Sequence, residues 1–187
     1  MMKFFLYFLL FLGFNHVFVS CCASKMDALG IEDRTMYAMI HRAANQLQKK
    51  YNLSLMGQGG ASDIENKTTE ISASFETNRL LSIEEARTIL LDSVDIFLTI
   101  INNDLDHRPY LQYYPFDVQG LDIAIFISNK DYSTPLHPDL CVASLRRGMI
   151  KYCTRDPENK NDYKSEICET YEKAIQRAEK IKMRSGQ

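Results

Sequence analysis

Between Thr69 and Thr77 every second residue is apolar: Ile71, Ala73 and Phe75 alternate with Glu70, Ser72, Ser74 and Glu76. A period of two predicts a strand with one buried face and one wet face. Leu121 to Ile127 repeats the pattern, with Leu121, Ile123, Ile125 and Ile127 on one side and Asp122, Ala124 and Phe126 on the other. Elsewhere the period lengthens to that of a helix. Met36, Met39, Ile40, Ala43 and Leu47 recur at spacings of three and four, which predicts a helix from near Asp33 to Asn52. Ser82-Ile83-Glu84-Glu85 reads as a capping box, opening a helix that runs to about Ile101. Its stripe of Ile83, Ala86, Leu90, Val94, Phe97, Leu98 and Ile101 is broad enough to make it the central helix of the core, while Glu84, Glu85, Arg87, Asp92 and Asp95 interrupt it. A third stripe, Tyr163, Ile167, Tyr171, Ala174, Ile175 and Ala178, predicts a last helix opening at Asn161 or Asp162. Lys180, Lys182 and Arg184 suit the negative end of its dipole.

Shorter segments complete the order. Leu53 to Met56 reads as a short strand, and Gly57 to Gly60 as a flexible turn. No Gly-Lys-Ser/Thr follows those glycines, so they do not make a phosphate loop. Leu140 to Thr154 reads as a hairpin around Arg146-Arg147-Gly148, with Gly148 in the left-handed position of a three-residue loop. That register sets Leu145 opposite Met149 and Cys141 opposite Cys153, which makes a Cys141–Cys153 disulfide geometrically feasible; Cys168 competes for either partner. Strand pairs joined by short turns predict an α+β fold: an antiparallel sheet of about four to five strands with three helices packed mainly on one face.

The chain of 187 residues is 45 % apolar and 25 % charged, with a net charge of −2. That composition fits one globular domain, here residues 33–187. The charges are mixed in sign along the chain, so there is no clustered basic face of the kind nucleic acids require.

The first residues have a different character. Lys3 precedes an apolar run from Phe4 to Phe14, broken only by Gly13, and Asn15 and His16 end the run. That is shorter than the roughly 20 apolar residues that span a bilayer, and it reads as a signal peptide over residues 1–20. A membrane anchor results instead if Asn15 and His16 are tolerated within the apolar segment. The segment Phe18-Val19-Ser20-Cys21 resembles the lipobox of bacterial lipoproteins, matching it at Val19, Ser20 and Cys21 and departing from the usual leucine at Phe18. The resemblance implies that Cys21 carries lipid, that residues 21–32 form a lipidated tether, and that the protein is exported and held at a cell membrane or outer membrane. Acyl chains on Cys21 would anchor it to the bilayer without a transmembrane helix. A second reading cuts the chain after Ala23, leaving it secreted, with Cys21 and Cys22 as ordinary cysteines.

The densest polar and aromatic cluster is Asn102 to Asp117, where Asp104, Asp106, His107 and Arg108 stand beside Tyr110, Tyr113, Tyr114 and Phe116. An aspartate with a histidine suits general acid–base chemistry. The same spacing suits a helix C-terminus, with His107 and Arg108 near the negative dipole end and Pro109 blocking further helix. No nucleophile motif and no paired Cys-x-x-Cys accompanies the cluster. The expectation is therefore a membrane-anchored binding or scaffolding module with no cofactor and no metal. Its partner is a protein of unknown identity, met through an exposed patch of Phe126 with Tyr113 or Tyr114. The rival is a secreted or tethered hydrolase using His107 with Asp104 or Asp106.

Overall fold

The computed structural model describes residues 30–185. The expected signal peptide, Cys21 and Cys22 lie outside them. The chain divides into two compact units, 1–35 and 36–187. Of the first, the described part is the opening turn of a helix, where the Arg34 N–H donates to the Gly30 carbonyl at 3.1 Å.

That helix, α1, spans Ile31–Tyr51, with Glu32 and Asp33 in its first turn and Lys49 and Lys50 in its last. Both pairs complement the helix dipole. Its start at Ile31 makes the end of the expected tether helical. β1 (Ser54–Ser62) follows, then β2 (Thr68–Thr77), α2 (Ile83–Asn103), β3 (Leu121–Ile127), β4 (Leu140–Arg146), β5 (Met149–Arg155), β6 (Tyr163–Thr170) and α3 (Tyr171–Ser185). Among the described residues the class is α+β with three helices, as expected. The sheet has six strands in the order β1-β2-β3-β4-β5-β6, more than the four to five expected.

It is also mixed. β2 and β3 run parallel, with Ile71 opposite Leu121 and Thr77 opposite Ile127. The chain between them carries α2, and a helical crossover brings the next strand back in the same direction. The other neighbours pair antiparallel.

Three local expectations need correction. Gly57 to Gly60 is strand, not turn: Gly57 pairs with Ser74 and Gly60 with Ile71. Backbone hydrogen bonding to β2 needs no side chain, so turn-forming residues extend the ladder there. Gly60 is required, because a Cβ would come within 2.6 Å of the Glu70 carbonyl oxygen and 2.7 Å of Met36 Sδ. In the β4–β5 hairpin Arg147 and Gly148 both have positive φ, 48° and 70°. That combination makes a two-residue turn of type I′, so Met149 faces Arg146 and Leu145 faces Ile150. Finally, residues 163–170 are strand β6, and the last helix starts at Tyr171. Tyr163 and Ile167 stand four apart but are exposed on an edge strand.

The core lies between the sheet and the helices. Ile71, Ala73, Phe75, Leu121, Ile123, Ile125, Leu145, Ile150 and Tyr152 point into it from alternate strand positions and are buried. Phe75 meets Phe97 of α2 edge-on, with ring centroids 6.4 Å apart. Asp92 of α2 accepts from Lys50 and Tyr51, fixing the end of α1.

The capping box of α2 is present. The Glu85 N–H donates to Ser82 Oγ at 3.2 Å, and the Ser82 N–H donates to Glu85 Oε2 at 2.9 Å. Ser82→Ala removes one half of it on an exposed site, and urea unfolding should show a loss of about 1 kcal/mol. A loss near zero would mean that water replaces the serine at no cost.

Candidate functional site

The helix-facing side and the other side of the sheet differ in chemistry. Gly57, Ser72, Ser74, Ala124 and Ser144 occupy alternate positions to the core residues, together with Phe126, Val142 and Cys153. Phe126 is 44 % exposed and Met149 is 41 % exposed. Short side chains leave the strand backbones close to the surface, and Phe126 rises from them as a large apolar side chain. Arg146 lies along the same face and pairs with Asp122 at 3.2 Å and Glu70 at 3.8 Å. Burial raises the Asp122 carboxyl above its ordinary value, against the pull of Arg146.

The loop after α2 places the expected acid–base residues as follows. Asp104 caps α2. One carboxylate oxygen accepts from the His107 backbone N–H at 2.8 Å, and the other accepts from Arg42 of α1. Burial works to raise the Asp104 carboxyl, but these two donors hold it below the usual carboxylate value. The His107 ring is fully buried. Its Nε2 lies 3.2 Å from Thr68 Oγ1 at the start of β2, and its ring is 5.9 Å from that of Tyr110. Asp106 is exposed to solvent. Arg108 donates to the Asn102 carbonyl at 3.1 Å and lays its guanidinium 4.4 Å from the centre of the Tyr114 ring. Asp104 is thus tied to His107 through the backbone, and the imidazole meets a threonine. This is a helix-end structure that docks the loop on β2.

The expected aromatic patch does not form as one surface. Leu111 bridges Thr68 at the start of β2, so Tyr113 and Tyr114 stand near the end where β2 and β3 begin. Phe126 lies at the far end of β3, a strand rise of about 16 Å from Leu121. Phe126 instead has Val142 opposite it on β4 and Glu76 opposite it on β2.

Sequence reading missed a charged node on the helix side. Glu169, at the end of β6, accepts from Arg87 Nε and from the Tyr152 hydroxyl on one oxygen, both at 2.7 Å. Its other oxygen accepts from Arg177 of α3 at 2.7 Å. Arg87, Glu169 and Tyr152 are buried. Burial works to raise the Glu169 carboxyl, but Arg87, Tyr152 and Arg177 hold it below its ordinary value. Burial and the bond to Glu169 push the Tyr152 phenol upward. The available signal was an arginine adjoining the apolar stripe of α2, where a solvated role is expensive to give up without a partner.

Cys141 and Cys153 are buried free thiols, and Cys168 is exposed and free. The register differs from the one expected: Leu140 faces Thr154 and Val142 faces Cys153, with Cys141 in a bulge between them.

Among the described residues no group of three histidine, cysteine or acidic side chains is placed to hold a metal. No described helix is long and apolar enough to cross a membrane. No protein-family model, no curated protein and no solved structure matches the chain. The functional reading therefore comes from the residues themselves.

Proposed function

We propose that this chain is an exported lipoprotein, a small binding or scaffolding module held to a bilayer by acyl chains on Cys21, which meets a protein partner on the open face of its sheet. The observation that carries the binding reading is that face. The described helices pack on the opposite side, leaving a sheet face where the short side chains of Gly57, Ser72, Ser74, Ala124 and Ser144 lie among Glu70, Asp122, Arg146 and Lys151, with Phe126 exposed. Phe126 and Met149 are both exposed on this face, and covering them with a partner would remove apolar surface from water. Val19-Ser20-Cys21 after a short apolar run supports the anchor. The hydrolase alternative draws no support from the loop, where the imidazole is buried against Thr68 and Asp106 faces solvent.

Both parts are open to test in the native cell. The mature chain should begin at Cys21 with the added mass of acyl chains, and Cys21→Ser should leave it unprocessed or soluble. A native chain starting at Ser24 without lipid mass defeats the anchor. A photo-crosslinking residue at position 126 should capture a discrete partner, and the same probe at exposed Thr88 on α2 should not. Equal capture at both positions, or none at either, defeats the open face as the binding surface.

A further inference from the structure

The bulge in β4 brings two thiols together. Because Leu140 faces Thr154 and Val142 faces Cys153, one residue of β4 is left over between the two pairs. Cys141 and Val142 then oppose the single residue Cys153, the two-against-one count of a bulge. The three side chains form a buried cluster of their own, apart from the main core, with Cys141 3 % and Cys153 4 % exposed. Cys141 Sγ lies 3.3 Å from the Cys153 carbonyl oxygen, so this sulfur already sits over its neighbour's backbone.

Cys168 is the competitor, and the sheet disfavours it. It faces Lys151, while Cys153 faces Glu166. Cys168 is thus diagonal to Cys153, and diagonal Cα atoms lie about 7–8 Å apart. Disulfides span Cα separations of about 4.4–6.8 Å.

We propose that Cys141 and Cys153 are a redox pair that closes into a disulfide across the β4–β5 bulge on meeting a small disulfide donor such as oxidised glutathione. One cysteine, deprotonated, attacks a donor sulfur and forms a mixed disulfide, releasing one glutathione thiol. The second cysteine then attacks the protein sulfur of that mixed disulfide and releases the second. Two protein S–H bonds are lost and one S–S bond forms. The donor's S–S bond breaks, and the donor carries away both electrons and both protons as two thiols. Burial pushes the Cys153 thiol up to about 11 and raises that of Cys141 as well, so the reduced pair is stored protonated. The pairing is a property of the folded sheet and does not depend on the export reading.

Peptide mapping decides it. Trypsin cuts after Lys130, Arg146, Lys151, Arg155, Lys164 and Lys173, which puts Cys141, Cys153 and Cys168 on three different peptides. Lys3 and Lys25 bound a fourth peptide that holds Cys21 and Cys22. The reduced full chain is incubated with oxidised glutathione, its circular dichroism is checked to be unchanged, free thiols are alkylated, and the digest is analysed without reductant. The expected product joins 131–146 to 152–155, at the same yield in Cys168→Ser. The proposal is overturned if Cys153 is joined mainly to Cys168, if glutathione stays attached to either cysteine, or if both are recovered alkylated.

Discussion

Glu169→Gln will cost the fold about 3–5 kcal/mol, because it leaves the buried guanidinium of Arg87 without its counter-charge. Arg87 and Glu169 are both buried, so the arginine regains little hydration when its partner is lost. Glutamine keeps one acceptor oxygen and turns the other into an NH2 donor, so Arg87 of α2, Tyr152 of β5 and Arg177 of α3 can no longer all donate to it. Adding Arg87→Met should recover part of the loss, since no unpaired charge then remains in the core. The effect also has a pH signature. The folded Glu169 carboxyl lies below its ordinary value of 4.5, so its contribution is complete above that value and is lost as the pH falls through the lower, folded one. Chemical unfolding of both proteins across pH 3 to 7 measures this. The gap between wild type and Glu169→Gln should be constant near neutrality and should narrow on the acid side. A gap under about 1 kcal/mol at neutral pH, or one that does not narrow, rejects the node as a source of stability.

His107→Ala will cost about 2–4 kcal/mol, in the range of other large-to-small changes at buried positions. The imidazole fills space between the loop and β2, and its removal leaves a cavity beside Thr68 as well as a broken contact. Asp106→Ala, at an exposed position, should stay within about 0.5 kcal/mol. Urea unfolding of the two variants therefore separates a packing histidine from a free one. Equal, small effects would show that His107 is not part of the packed structure. A hydrolytic activity abolished by His107→Ala in a protein still folded would favour the hydrolase over the binding module.

The elements read correctly in advance are those whose signals are local. Ser82 and Glu85 lie three residues apart and satisfy each other's backbone, so the start of α2 needed no tertiary information. The alternation in β2 and β3 names the buried face, because a one-residue shift would expose the whole apolar set. The apolar stripe located α1 to within a few residues.

What the sequence left open depended on partners distant along the chain. Gly57 to Gly60 carries a turn composition and becomes strand through its ladder with β2, and only the approach of Met36 and Glu70 explains Gly60. In β6 the spacing of Tyr163 and Ile167 imitates a helix, whereas pairing with β5 makes it an edge strand whose one buried side chain is a charged one, Glu169. The meaning of Arg87 rested on that same Glu169, 82 positions away. The surroundings of Asp104 and His107 were not legible from their spacing, because Arg42 of α1 pairs with the first and Thr68 of β2 meets the ring of the second. Local hydrogen bonds and periodicity are written into consecutive residues, and a single chain displays them directly. Strand pairing, bulges and buried charges are relations between residues far apart, and only the folded sheet brings the two halves of each relation together.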